Sequence, residues 1–166
     1  MKKKIYLSAG VYLENKKFKK NKFYHFLSLS NYTTIIPILP NNKLLIVSQK
    51  RIPINKKNLE FPAGLIDNND TPLKTAEREL LEETGYKNTK PLKKLLEFYP
   101  DPGRVSNKVT CFIAKNLKKI SKPEKGLKLF ICSEKEIINL ISKKKFNNGS
   151  HIALFYRYLL DKNIKL

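Results

Sequence analysis

Tryptophan is absent from this 166-residue chain, and methionine occurs once, at the first position. The two cysteines, Cys111 and Cys132, sit inside apolar runs. They read as small buried residues and exclude both a disulfide framework and a cysteine metal site. No apolar run approaches the ~18 residues of a membrane span. The start is basic, but residues 5–10 are too short and too mixed for a secretory signal. A cytoplasmic location is the expectation. Acids are scarce, 14 against 34 basic residues, for a formal charge of +20. Arginine is scarcer still, four against 30 lysines. A dedicated RNA groove would be expected to use arginine forks and interleaved aromatics. Lysines spread from end to end suit a solvated surface with non-specific, salt-sensitive polyanion contacts. The length suits one domain over residues 1–166, with a real core. No internal repeat or linker interrupts it.

Against this scarcity, four of the ten glutamates fall between residues 77 and 83. Thr71 suits a helix N-cap and Pro72 the first helical position. Residues 73–84 lack Gly and Pro, and Gly85 suits the left-handed residue past the end. Leu73, Ala76, Leu80 and Thr84 recur at helical spacing and should face a core. Glu79, Glu82 and Glu83 are three and four apart, so they share one side. Like charges so spaced repel by roughly 0.2–0.5 kcal/mol per pair. A divalent cation would turn that repulsion into ligation. All-oxygen donors favour Mg²⁺ or Mn²⁺ over zinc.

The rest of the chain reads mostly as strands. Residues 5–13 and 23–29 are apolar-aromatic stretches around an exposed basic turn at 16–22. Residues 33–39 and 43–49 are β-rich runs around a hairpin turn at Pro40-Asn41-Asn42. Residues 52–58 read as a loop. Strands follow near 93–98, 108–114 and 127–132, with loops at 99–107 and 116–125. Ser133 caps a helix over about 134–144. A last helix begins near Ser150 and carries His151, Leu154, Phe155 and Tyr158 at helical spacing. This pattern suits an α/β sandwich.

The segment from Gly64 to Tyr86 resembles the Nudix box, G-x5-E-x7-R-E-U-x-E-E-x-G-U, where U is a bulky apolar residue. Gly64, Arg78, Glu79, Leu80, Glu82, Glu83, Gly85 and Tyr86 fall in register. Asp70 stands where the pattern has Glu. The flanks are similar to those of ADP-ribose pyrophosphatases: Gln49-Lys50-Arg51, the run from Glu60 to Asp67, the loop from Tyr99 to Asn107, and Pro123-Glu124-Lys125-Gly126-Leu127. The resemblance covers roughly residues 40–132. It implies the Nudix fold, a mixed sheet between helices, with residues 1–31 as an N-terminal β extension and possible dimerisation element.

It also implies hydrolysis of the diphosphate of ADP-ribose, or a related nucleoside-diphosphate sugar, by a homodimer. The implied metal ligands are Glu79, Glu82, Glu83 and the carbonyl of Ala63. Gly64 lets the backbone approach the ion. Arg78 orients carboxylates. Glu124 is the candidate general base, with Glu82 as the fallback. Arg51, Glu60 and Arg104 are candidate substrate contacts, the first two also able to pair with each other. Phe26, Tyr32 and Phe61 are candidate adenine platforms. His25 and His151 have no partner pattern, although His151 stands near a helix start. Two other readings share these residues: a Nudix hydrolase acting on RNA ends or dinucleoside polyphosphates, and a non-catalytic nucleotide sensor.

Overall fold

The computed structural model describes residues 4–20, 22–67 and 69–163. Its centre is a mixed four-stranded sheet. Strand β4 (Tyr32–Pro37) runs parallel to β10 (Val109–Ala114). Strand β7 (Ala63–Leu65) flanks β4, and β9 (Lys93–Phe98) flanks β10, both antiparallel. β10 is buried along its whole length, as expected of a strand covered on both faces.

Alternation along these strands separates two cores. Ile35, Phe112 and Ala114 point one way and pack with Ala76 and Leu80 of α1 (Pro72–Thr84). Ile36, Cys111 and Ile113 point the other way. There they join Ile137 of α2 (Glu134–Ser142) and Leu154, Phe155 and Tyr158 of α3 (Gly149–Asn163). The mixed sheet between helices is therefore present. Leu73 departs from the expected core face and is exposed, because it lies on the first turn of α1. Ala76, Leu80 and Thr84 are buried as expected.

Pro40-Asn41-Asn42 does form a turn, closed by the Asn42 N–H on the Leu39 carbonyl. Across it the Leu39 N–H donates to the Lys43 carbonyl at 2.8 Å, and Ile38 and Leu44 form an isolated bridge. β5 (Leu44–Arg51) then leaves β4 for a second sheet between β12 (Lys128–Cys132) and β6 (Lys56–Glu60). The expected loop at 52–58 is thus half wrong. Ile52–Ile54 is a single 3-10 turn, and Lys56 onward returns along β5 as a hairpin. The loop at 116–125 likewise contains a short strand, β11 (Leu117–Lys119), paired with β8 (Tyr86–Asn88). α2 stops at Ser142, two residues early.

At the N-terminus the stretch 5–13 breaks into two strands. β1 (Lys4–Ser8) and β2 (Val11–Lys19) turn about Gly10, whose φ is +71°. β2 continues through the basic segment to Lys19, and β3 (Lys22–Leu29) pairs along it, so the expected turn is far narrower. The N-terminal β extension is a separate three-stranded sheet. Among the described residues no helix is long and apolar enough to cross a membrane.

One segment crosses between the two main sheets. Glu60 ends β6 opposite Val47, and Ala63 begins β7 opposite Thr34. The Pro62 carbonyl between them accepts from the Ile35 N–H at 2.9 Å. The backbone that enters the box is therefore pinned from both sides.

Candidate active site

Helix α1 is built by local signals. Thr71 Oγ1 accepts from the Lys74 N–H, Pro72 opens the helix, and Gly85 closes it at φ +75°. The C-terminal half then sets its glutamates beside β7. Glu83 is buried, and its carboxylate accepts the Ala63 N–H at 3.1 Å. Glu79 packs against Gly64, where an added Cβ would stand 2.1 Å from the Glu79 carboxylate. Glu82 is half exposed. Arg78 joins the group, with Nη1 2.7 Å from Glu79 and 2.9 Å from Glu82. Its Nη2 lies 3.9 Å from Asp67.

Crowding shows in the acidities. Burial, and then the Glu79 charge, push the Glu83 carboxyl up to about 7 against the Ala63 hydrogen bond. Burial also raises Glu79. Among the described residues no three His, Cys, Asp or Glu side chains close into a ready-made cage. Arg78 and the Ala63 N–H hold the carboxylates instead. The donor set is nonetheless oxygen only, two of its carboxyls are costly to ionise, and the missing side chain of Gly64 lets the Glu79 carboxylate lie against the backbone. These residues fit a hard divalent cation.

A cleft of about 580 Å³ opens beside Ala63 and Gly64, lined also by Tyr32, Arg51, Asn58, Glu60, Asn147, Asn148 and His151. Across the β5–β6 hairpin Arg51 forks onto Glu60, at 3.1 and 2.5 Å. Burial alone would raise the Glu60 carboxyl, but hydrogen bonds from Arg51 and Asn58 hold it below its ordinary range. Arg51 and Glu60 are thus brought together at the cleft, and Tyr32 lines it with them.

Other expected residues lie elsewhere. Arg104 is not at the cleft, because its loop docks on β3, where the Leu27 N–H donates to the Arg104 carbonyl. Phe26 lines a separate groove with Phe18, Tyr24 and Tyr99. Phe61 is fully buried among Phe146, His151 and Phe155 and offers no platform. Glu124 does not line this cleft and lies beside Glu82 at the C-terminal turn of α1. Its N–H donates to the Glu82 carbonyl at 2.8 Å, and its charge reaches Glu79.

The sequence offers His151 as a site candidate only by its place near a helix start, and Asn58 not at all. Asn58 is two residues before Glu60, so a strand reading of 56–60 would have put both on one face. His151 accepts the Phe61 N–H through Nδ1 at 2.9 Å, across 90 residues. No local signal carries that contact.

A family model described as the NUDIX domain matches residues 30–147. The chain is 36% identical over 107 residues to a methanol dehydrogenase activator of Bacillus methanolicus, covering 64% of this chain and 54% of that protein. It is 37% identical over 83 residues to an ADP-ribose pyrophosphatase of Bacillus subtilis (strain 168), covering 50% and 44%. The chain spans about half the length of these curated relatives. A solved structure of an ADP compounds hydrolase matches with a TM-score of 0.78 at 19% identity, covering 100% of this chain and 95% of that one, which shows the shared fold. With the box in register and most of its length matched, the chain belongs to the NUDIX domain family.

Proposed function

We propose that this chain is a Mg²⁺-dependent hydrolase that splits the diphosphate of a nucleoside-diphosphate sugar, ADP-ribose first among them, into a nucleoside monophosphate and a sugar phosphate. The observation that carries the reading is the placement of Glu83 on the Ala63 N–H and of Glu79 against Gly64, with Glu82 tied to Glu79 through Arg78, at the edge of an open cleft. The likeness to an ADP-ribose pyrophosphatase supports the substrate class.

Glu79, Glu82, Glu83 and the Ala63 carbonyl would hold the cation. When bound, it supplies charge neutralisation at the phosphate oxygens and a more acidic water. Arg78 keeps Glu79 and Glu82 turned toward each other. Glu124 is the proposed base, and its seat on the Glu82 carbonyl puts it at the same end of α1. The Arg51–Glu60 fork shapes the cleft wall, and its guanidinium suits a phosphate oxygen. The second copy of a homodimer would pack on the N-terminal sheet, whose Ile5, Tyr6, Leu7 and Phe23 are exposed.

The test is incubation of the purified protein with Mg²⁺ and a panel: ADP-ribose, ADP-glucose, GDP-mannose, a diadenosine polyphosphate and capped RNA. Release of AMP fastest from ADP-ribose is expected. Faster cleavage of RNA would replace the substrate class, and nucleotide binding without turnover would sink the enzyme reading.

Gly64→Ala separates fold from chemistry. The φ of Gly64 is not in the left-handed region, so alanine is tolerated by the backbone, and the atoms it meets belong to a flexible side chain. Unfolding free energy should change by less than about 1 kcal/mol. Glu79 must move, and a displacement of about 1 Å at a reacting centre costs on the order of 100-fold in rate. Urea melts and initial rates on the same preparation check both halves.

A further inference from the structure

We propose that His151 binds the substrate, its Nε2–H and the side-chain amides of Asn147 and Asn148 reading the hydroxyl-bearing sugar at the N-terminal end of α3. This rests on the nucleotide-sugar reading above.

The tautomer follows from one hydrogen bond. A backbone N–H can only donate, so the Phe61 N–H at 2.9 Å makes Nδ1 of His151 an acceptor. The ring proton is then on Nε2. Burial, with a smaller push from Arg51, pulls this imidazole down to about 4, so it is neutral in ordinary buffers. The ring is also fixed in place. It stacks on Phe61 at 6.2 Å between centroids, 26° from parallel, and the residue is 2% exposed.

Nε2 makes no hydrogen bond among the described residues. Nor is it sealed: among the described residues the fully buried side-chain atoms without a partner are Thr75 Oγ1 and Asn107 Oδ1, and Nε2 is not one of them. It therefore opens on the cleft that His151 lines. A fixed donor on the cleft wall with no acceptor among the described residues is available to an acceptor on a ligand that displaces water there.

The surroundings select the ligand's chemistry. The Arg51 guanidinium is forked onto Glu60 through Nε and Nη2, which leaves Nη1 for an oxygen of the diphosphate rather than for the sugar. The other polar groups on that wall are neutral: Tyr32, Asn58 with its amide on Glu60, Asn147, and Asn148, whose Oδ1 accepts the His151 N–H and leaves its amide N–H₂ to donate. Amides and a neutral imidazole pair well with hydroxyls, which both donate and accept, whereas a phosphate favours charged donors. Ala63 and Gly64 line the same cleft. A diphosphate held at the box leaves its flanking sugar against this wall.

Two isosteric variants divide the two ends of the ring. His151→Asn keeps an acceptor near Nδ1 and removes the Nε2 donor. His151→Gln keeps a donor near Nε2 and loses the acceptor. With ADP-ribose as substrate, His151→Asn should raise KM about tenfold, one hydrogen bond's worth, with kcat within about twofold and the smaller fall in unfolding midpoint of the two. His151→Gln should show the reverse: the larger fall in midpoint and a near-normal KM. An unchanged KM in His151→Asn would overturn the proposal and leave the residue a purely structural tie. A second readout needs no metal and no turnover. In the wild-type protein the His151 imidazole ¹⁵N resonances should shift on adding ADP-ribose in EDTA. If the panel shows no hydrolysis, the functional reading fails while this titration still decides the site: a shift supports it, and no shift overturns it.

Discussion

Replacing Glu83 with Gln is expected to lower turnover of the preferred nucleotide sugar by roughly 10²–10³-fold, while making the metal-free protein more stable above neutral pH. Loss of activity follows from the removal of a charged oxygen at the proposed cation site. The gain in stability follows from burial. In the folded chain Glu83 holds its proton up to about 7, well above the ordinary 4.5. Below about pH 4.5 that shift costs nothing, and as pH rises through 7 stability falls by roughly 3 kcal/mol. Gln carries no charge to bury and still presents an oxygen to the Ala63 N–H. In EDTA the variant should therefore match the wild type near pH 5 and exceed it near pH 8. Mg²⁺ should narrow the gap by stabilising only the native carboxylates. His151 acts in the opposite sense. Its folded value of about 4 is depressed from 6.5, so its contribution is present above 6.5 and lost as pH falls through 4. The two slopes oppose each other between pH 4.5 and 6.5 in the wild type, and Glu83→Gln leaves the histidine slope alone. Urea melts at three pH values, with and without Mg²⁺, measure all of this. Equal stability of the two proteins at pH 8 in EDTA would mean that the buried charge carries no cost.

What was legible in the sequence was what is local. The box helix declares itself through Thr71, Pro72 and Gly85, and each does in the structure what its chemistry suggests. Ser133 forms a full capping box with Glu136 at the start of α2. Strands β4 and β10 are apolar enough to be read at once. The glutamates of α1 were placed by helical spacing alone, and the ion pair offered for Arg51 and Glu60 is present.

What was not legible is what depends on residues far apart in the chain. Residues 56–60 carry Lys56, Lys57 and Asn58, which look like loop, yet pairing with β5 makes them a strand. Gly85 needs to be glycine for more than its φ, because a Cβ there would meet the Ser121 carbonyl at 2.3 Å. Nothing near Gly85 in sequence announces Ser121. The loop of Arg104 looked like a cleft element by resemblance, and its backbone bonds to Leu27 take it to the N-terminal sheet instead. His151 is the sharpest case. A lone histidine near a helix start has no pattern, and its meaning comes entirely from Phe61.

Phe61→Ala should produce the largest loss of stability at any one position discussed, about 3–5 kcal/mol. The ring is fully buried, contacts Phe146 edge-on, and lies against His151 and Phe155. It thus joins the crossing segment to both the α3 core and the chain before it. Alanine leaves a cavity that neighbours on two rigid elements cannot easily fill. Against the 5–15 kcal/mol that holds a typical domain together, that loss is a large fraction. Phe61→Leu retains most of the volume and should cost only about 1–1.5 kcal/mol. Urea denaturation of the three proteins gives the series directly. The site should suffer with the core, because the same residue donates its N–H to His151 and sits between Glu60 and the Pro62-Ala63 step. A loss below about 1 kcal/mol for alanine would show that α3 closes over the gap. In that event the imidazole would have to move with it, and the cleft wall would no longer be fixed by the core behind it.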